Sequence, residues 1–126
     1  MSNRIVFSAV AIMSLLAGCV TTHQKYDWGK YDSSLYAYYK DPTKAGELSA
    51  SLAAVISAAV AKNAKVPPGM YAEYGYLQLQ QGKSEEAINS FKQETVHWPE
   101  SKVFMDQMIK VASQPAPART SQSPAP

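Results

Sequence analysis

The chain has 126 residues and a formal net charge of +2 at pH 7, and acidic residues lie among its lysines. This even balance argues against a nucleic-acid-binding protein, which needs a basic face or a basic run. The single cysteine, Cys19, has no second cysteine with which to form an internal disulfide or a metal site.

Residues 1–18 have the features of a bacterial lipoprotein signal peptide. A short basic start precedes residues 5–16, a mostly apolar run that is too short to span a bilayer as a helix. The sequence Leu16-Ala17-Gly18-Cys19 then resembles the lipobox that the lipoprotein signal peptidase reads. The resemblance implies cleavage between Gly18 and Cys19, with diacylglycerol and an N-acyl chain attached to Cys19. The alternative is an ordinary secretory signal with an incidental cysteine.

The lipidated cysteine predicts a membrane-anchored protein. Several acyl chains hold a protein on a membrane far more firmly than one chain does. Val20 follows the cysteine, where Gram-negative lipoproteins of the inner membrane tend to carry Asp. By this resemblance we expect the outer membrane and its periplasmic face. Residues 19–25 are predicted to be a tether, and no other cofactor is expected.

Residues 26–112 are predicted to form one helical domain, which begins with a segment rich in tyrosine and tryptophan. Residues 32–40 predict a short helix with Asp32 or Ser33 as its N-cap. Aromatic side chains pack in cores, and they also dominate protein interfaces and bind carbohydrate. Core packing, a partner surface and a ligand site therefore all stay open for this segment. The candidate partner-binding residues are Tyr26, Trp28, Tyr36, Tyr38 and Tyr39.

A longer helix is predicted over residues 42–62. Asp41 is a favourable N-cap, and Pro42 suits the first helical position, where no N–H partner exists. Apolar residues recur at steps of three and four, which is typical of an amphipathic helix. This predicted stripe consists of Leu48, Leu52, Val55, Ile56, Ala59 and Val60. Asn63 and Pro67-Pro68 are expected to end the helix.

Three further helices are predicted, over residues 69–81, 84–97 and 101–112, and no strand pattern is present. Gly82 should end the first helix in a left-handed conformation. Ser84 is the predicted cap of the second helix, with acidic residues in its first turn. The third should turn Phe104, Met108 and Val111 inward. Residues 113–126 are rich in proline and serine and predict a disordered tail.

Residues 68–101 resemble a tetratricopeptide repeat. The matching residues are Tyr71, Tyr74, Gly75, Ala87, Phe91 and Pro99. Two positions depart from the pattern: Gln78 stands where an aromatic residue is usual, and Glu94 where a small residue is usual. The resemblance implies an all-α fold, a small stack of helical hairpins. The alternative is a generic helical bundle in which the same residues form the core.

Residues 16–112 as a whole resemble a family of small bacterial lipoproteins of unknown function, catalogued as domain of unknown function 4810. The resemblance depends on the lipobox, the segment Tyr26-Asp27-Trp28-Gly29-Lys30-Tyr31 and the block from Tyr71 to Pro99. Members tend to be encoded beside a lipoprotein similar to the curli secretion channel subunit. This implies a cell-envelope assembly with other envelope lipoproteins as partners.

No catalytic set of residues is recognisable in the sequence. His23 lies in the tether, and His97 lies at a predicted helix end, where a basic residue usually serves the helix C-terminus. We therefore predict a non-enzymatic adaptor that binds another envelope protein, without a metal site or nucleic acid. The competing hypothesis is an envelope protein that binds a small ligand or glycan, or a hydrolase.

Overall fold

The structure is a computed structural model, and it describes residues 24–115. The predicted signal peptide, Gly18, Cys19, His23 and the tail from residue 116 lie outside the described residues. The cleavage and lipidation of Cys19 therefore stay predictions, and so do the proposed boundaries of the tether and the tail.

Five α-helices make up the described part of the chain: α1 Tyr31–Lys40, α2 Ala45–Ala61, α3 Met70–Gln80, α4 Ser84–His97 and α5 Lys102–Ala112. Short 3-10 turns over Pro42–Lys44 and Pro99–Ser101 precede α2 and α5. Residues 24–115 contain no strand. The predicted all-α class is confirmed, and the predicted helix bounds agree closely with the structure.

Several helix ends have the predicted chemistry. The Asp41 carboxylate accepts a hydrogen bond from the Thr43 backbone N–H, and Pro42 opens the turn before α2. After α3, Gly82 has φ +79°, the left-handed conformation that glycine adopts at little cost. Asn63, just past α2, has φ 50° and turns the chain toward α3.

Two predicted caps are wrong. The N-cap position of α4 is Lys83, and Ser84 is the first helical residue. The N-cap position of α1 is Lys30, so Asp32 and Ser33 lie inside its first turn. The Ser33 hydroxyl donates to the Lys30 carbonyl. The N-cap of α1 stands two to three positions earlier than predicted, because the Trp28 and Lys30 carbonyls accept the N–H groups of Tyr31 and Ser34. The N-cap of α4 stands one position earlier than predicted.

The helices form antiparallel hairpins, each helix packs against its neighbours in the chain, and the most extensive contact is between α3 and α4. Contacts across the loops define one end of the bundle. There the start of α1 meets the end of α2, through Asp27 and Lys62. The Trp98 indole N–H, after α4, donates to the Val66 carbonyl, between α2 and α3. We call this the tether end, because residue 24 joins the domain there; the opposite end is the far end.

The core consists of two clusters. The first contains Leu48, Leu52, Val55, Val66, Met70 and Leu77, and the second contains Ala87, Phe91, Met105 and Ala112. Helix α2 supplies half of the first cluster. Among the described residues, Pro42–Ala61 is the one helical stretch long and apolar enough to cross a membrane, by length and composition only. A core helix meets the same criterion, and α2 buries Leu48, Leu52 and Val55 inside the domain.

Two residues that were predicted to face inward do not. Phe104 is 63% exposed, and α5 buries Met105 and Ala112 instead. Val60, in the last turn of α2, is 60% exposed. In both helices the apolar residues outnumber the positions that a neighbouring helix can cover. Their spacing is therefore compatible with more than one buried face, and the sequence alone does not decide between them.

Candidate functional site

The crossing of α3 and α4 is close because Gly75 has no side chain. A Cβ placed on Gly75 would lie 2.7 Å from Cε1 of the Phe91 ring and 3.0 Å from Cβ of Ser90. Phe91 and Ala87 are both fully buried in the second core cluster. Tyr71 and Tyr74 pack against the first core cluster.

The two residues that depart from the repeat pattern are buried polar groups at this crossing. The Ser90 hydroxyl donates to Oε1 of Gln78 at 2.7 Å, and the Gln78 amide reaches Glu86 at 3.4 Å. Glu94 is 2% exposed, and its Oε1 accepts from the Gly69 backbone N–H at 2.8 Å. The second carboxyl oxygen of Glu94 is buried without a hydrogen-bond partner.

Glu94 serves as a side-chain cap for α3 from outside that helix. Gly69, at the N-cap position of α3, has φ 84° and contributes no side chain of its own. A buried N–H without a partner would cost stability, and the Glu94 carboxyl removes that cost. The polar groups of this crossing are thus satisfied mainly within the hairpin, which indicates a structural role.

His97, the only histidine described, stacks on the Tyr71 ring with 5.3 Å between centroids. Burial, with the nearby Glu94 carboxyl, raises the pKa of Tyr71. Within residues 24–115 no group of three or more His, Cys, Asp or Glu side chains is placed to hold a metal ion.

Aromatic rings fasten the N-terminal segment to the tether end of the bundle. The Tyr26 ring makes edge contacts with Trp28 and Trp98, at centroid distances of 6.0 and 6.3 Å. Trp28 lies 5.8 Å from Tyr31, and both pack against the first core cluster. Tyr26 and Trp28, two candidate partner-binding residues, are therefore half-buried and occupied by contacts within the domain.

Charged groups reinforce this fastening. Lys62 Nζ lies 2.9 Å from Oδ2 of Asp27, and Lys65 Nζ lies 3.7 Å from the Trp98 ring centroid. The Lys62 hydrogen bond, followed by the Gly29 backbone N–H, lowers the pKa of Asp27. Cations over tryptophan faces are attracted by the ring quadrupole. Neither Lys65 nor Trp98 stands out in the sequence, because Trp98 meets Tyr26, and Lys65 meets Trp98, only in the folded chain.

Tyr31 connects α1 to α3. Its hydroxyl donates to Oε2 of Glu73 at 2.6 Å. Burial, and then the hydrogen bond to Glu73, raise the pKa of Tyr31. The start of α1 is thus held by both packing and a specific polar contact.

The outer face of α1 is different, because large side chains remain outside the core. Tyr36 is 63% exposed and Tyr39 is 79% exposed, and Leu35 is exposed beside them. Lys40 Nζ lies 5.5 Å from the Tyr36 ring centroid and 5.8 Å from that of Tyr39. The inner side of the same helix is occupied by buried Ser34 and half-buried Tyr38. We call Leu35, Tyr36, Tyr39 and Lys40 the α1 outer face.

Two concave features of the described surface are open grooves. A groove of about 550 Å³ runs between α1 and α2, and small α2 residues such as Ala50, Ala54 and Ala58 line it. A second groove of about 290 Å³ lies between α2 and the α3–α4 hairpin, with Tyr71, Gln78 and other polar side chains along its walls. Both are open to solvent.

The comparisons with known proteins bear on the family. No curated protein and no solved structure matches the chain. The family described as a domain of unknown function (DUF4810) matches residues 25–108. The match begins in the aromatic N-terminal segment, covers α1 to α4 and ends within α5. The chain therefore belongs to this family, the domain of unknown function DUF4810.

Proposed function

We propose that this protein is a lipid-anchored, non-catalytic adaptor of the cell envelope, which binds another envelope protein through the α1 outer face. The observation that carries the proposal is the pair of exposed tyrosines, Tyr36 and Tyr39, on a helix whose core side is already filled. Tyrosine is enriched among the residues that contribute most to protein–protein binding.

The arrangement of α1 supports a surface reserved for binding. Tyr36 and Tyr39 are three positions apart, so their rings lie on one side of the helix. Lys40 adds a cation next to both rings. A partner that covers this face would remove two aromatic rings and a leucine from water, which is the main source of association free energy.

The sequence resemblances supply the cellular setting of the proposal. The lipobox at Leu16-Ala17-Gly18-Cys19 supports an acylated Cys19 and an outer-membrane location facing the periplasm. The α3–α4 hairpin, with Gly75 at its crossing, supports a tetratricopeptide-like stack. A membrane-confined pair has a high effective concentration, so a weak contact suffices. A lipoprotein similar to the curli secretion channel subunit is the proposed partner.

Crosslinking in intact membranes tests the adaptor function. The chain with Tyr36→Ala and Tyr39→Ala is compared with a Tyr76→Ala chain, since Tyr76 is an exposed tyrosine on α3. The amount of crosslinked partner should fall for the double variant and stay unchanged for the Tyr76→Ala control. The unchanged chain, the double variant and the control should have equal thermal stability. Equal recovery of the partner by the double variant would contradict binding through α1. Hydrolytic activity of the purified protein would contradict a non-catalytic role.

Mass spectrometry of the mature N-terminus tests the anchor separately. Acylated Cys19 is the expected first residue, and an unmodified N-terminus at another position would contradict lipidation. Cys19→Ser should leave unprocessed precursor.

A further inference from the structure

Four exposed aliphatic or aromatic side chains lie at the tether end of the bundle. Val103 is 78% exposed and Phe104 is 63% exposed, and both belong to the first turn of α5. Val96 and Val60 are also exposed, in the last turns of α4 and α2. These four residues, which we call the apolar rim, contribute little to the core.

The position of the apolar rim follows from the hairpin topology. The end of α4 and the start of α5 are joined by the short connection that contains Trp98. The Trp98 ring contacts Tyr26, two residues after the first described residue, Gln24. Lys62, at the end of α2, pairs with Asp27. The apolar rim and the point where the tether joins are therefore at the same end of the molecule.

The length of the tether restricts which end can approach a membrane. Five residue steps separate Cys19 from Gln24, and a fully extended chain of this length spans about 18 Å. Helix α2 alone is about 26 Å long at 1.5 Å per residue. The tether thus cannot run along the domain and bring the far end to the bilayer that holds the acyl chains.

The polar residues of the tether end also suit a lipid headgroup region. Lys25, Lys62 and Lys65 lie around Asp27 where the tether joins, and Lys30 follows in the chain just before α1. The α5 corner adds a Lys102–Asp106 pair and Glu100. Half-buried Tyr26 and Trp98 contact each other at this end of the bundle. Tyrosine and tryptophan concentrate at membrane–water interfaces, and lysine extends its ammonium group toward water from an apolar stem.

We propose that the tether end is a membrane-docking surface, with Val103 and Phe104 seated among the headgroups of the phospholipid bilayer that carries the anchor. The inference rests on the lipidation of Cys19 in the proposed function. It adds an orientation, in which the tether end of the bundle faces the bilayer. Helix α1 then begins near the bilayer, and its last residues, Tyr39 and Lys40, lie farther from it. The occupant of the apolar rim is lipid, and no second protein is required there.

Fluorescence of a single environment-sensitive label tests the orientation. The lipidated protein is reconstituted into phosphatidylethanolamine–phosphatidylglycerol vesicles, with the label on Val103→Cys. Because acylation consumes the Cys19 thiol, the introduced cysteine is the only reactive one. The matched control is Glu85→Cys, at an exposed position in the first turn of α4, at the far end. The label at 103 should show blue-shifted emission and quenching by spin-labelled lipid, and the label at 85 should show neither.

A second variant tests whether the apolar rim itself makes the contact. With the label on Val96→Cys, the changes Val103→Ser and Phe104→Ser should reduce the blue shift. Circular dichroism should report equal helix content, because both side chains are exposed.

Each remaining outcome overturns a different statement. No shift at 103 in protein whose Cys19 is acylated would overturn membrane docking and leave the anchor intact. Equal shifts at 103 and 85 would overturn the orientation. A shift at 103 that appears only when another envelope protein is added would assign the apolar rim to a protein partner. Protein without acyl chains on Cys19 would contradict the proposed anchor.

Discussion

The α3–α4 hairpin and helix α1 use their residues in opposite ways. At the hairpin, Gly75 admits Phe91, and buried polar groups such as Glu94 find partners inside the domain. Helix α1 fully buries one small residue, Ser34, and leaves Tyr36 and Tyr39 in solvent. A residue without a side chain stands where α3 and α4 approach each other, whereas α1 carries two large aromatic residues, Tyr36 and Tyr39, outside the core. Substitutions should therefore affect stability in the hairpin and binding in α1.

The largest expected effect comes from overpacking the hairpin. Gly75→Leu places a side chain where even a Cβ would be 2.7 Å from the Phe91 ring. Overpacked cores typically lose about 1–3 kcal/mol, and denaturant unfolding would measure the loss here. The matched control is Gly46→Ala in the first turn of α2, where a new Cβ meets nothing within 4 Å. This control should be neutral or slightly stabilising. An equally stable Gly75→Leu chain would show that the crossing is not tight.

The next effect should come from removing the side-chain cap of α3. Glu94→Ala leaves the Gly69 N–H without its acceptor in a largely buried position, which should cost about 1–3 kcal/mol. Glu94→Gln keeps an acceptor oxygen for the Gly69 N–H. It also replaces the second carboxyl oxygen, which is buried without a hydrogen-bond partner, by a neutral amide nitrogen. We therefore expect the Gln variant to lose much less stability than the Ala variant in thermal unfolding. If both lose the same amount, the hydrogen bond to Gly69 is not the source of the effect.

A smaller effect is expected at Tyr31, where α1 meets α3. Tyr31→Phe removes the hydrogen bond to Glu73 and should cost about 1 kcal/mol. The raised pKa of Tyr31 also predicts a pH dependence, since above about pH 10 the unfolded chain loses a proton that the folded chain keeps. The contribution of Tyr31 to the free energy of unfolding should be fully present below about pH 10 and should decrease as the pH rises further. The free energy of unfolding of the Tyr31→Phe variant should decrease less steeply with pH in this range. If it decreases as steeply as that of the unchanged chain, Tyr31 makes no such contribution.

The smallest effect on stability is expected on the α1 outer face. Tyr36→Ala and Tyr39→Ala should each change the free energy of unfolding by less than about 0.5 kcal/mol, because both rings are largely exposed. Tyr38→Ala should cost more, because Tyr38 packs against the first core cluster. A chemical-denaturation series over the three tyrosines would measure this. A large loss for Tyr39→Ala would remove the contrast between α1 and the hairpin.

Local signals predicted the helices well. The Asp41-Pro42 start and the Gly82 stop depend on backbone chemistry within a few residues, and both are present in the structure. Of the predicted inner stripe of α5, Phe104 is exposed and Met108 packs against the second core cluster, while the fully buried residues are Met105 and Ala112. Two stripes of α5 are apolar, and only the orientation of α5 against α4 decides between them.

The candidate site was less predictable because its contacts are long-range. The sequence placed Tyr26, Trp28, Tyr36, Tyr38 and Tyr39 in one group, and the structure separates them into packed and exposed rings. What holds Tyr26 is Trp98, far along the chain, and no local pattern connects the two. Burial of Glu94 is equally invisible in the sequence, since its partner is a backbone N–H on another helix.

The neighbour-to-neighbour packing of the helices has a consequence for folding speed. Chains whose contacts are mainly local fold rapidly, in microseconds to milliseconds, because little loop-closure entropy is lost before the contacts form. The contacts of Tyr26 with Trp98 and of Asp27 with Lys62 are among the exceptions. They join the first described residues to much later ones, so they should close after the hairpins have formed. The N-terminal segment should then be the last part of the domain to fold. A chain anchored through Cys19 should therefore form its helical bundle first and pack its N-terminal segment, next to the anchor, afterwards.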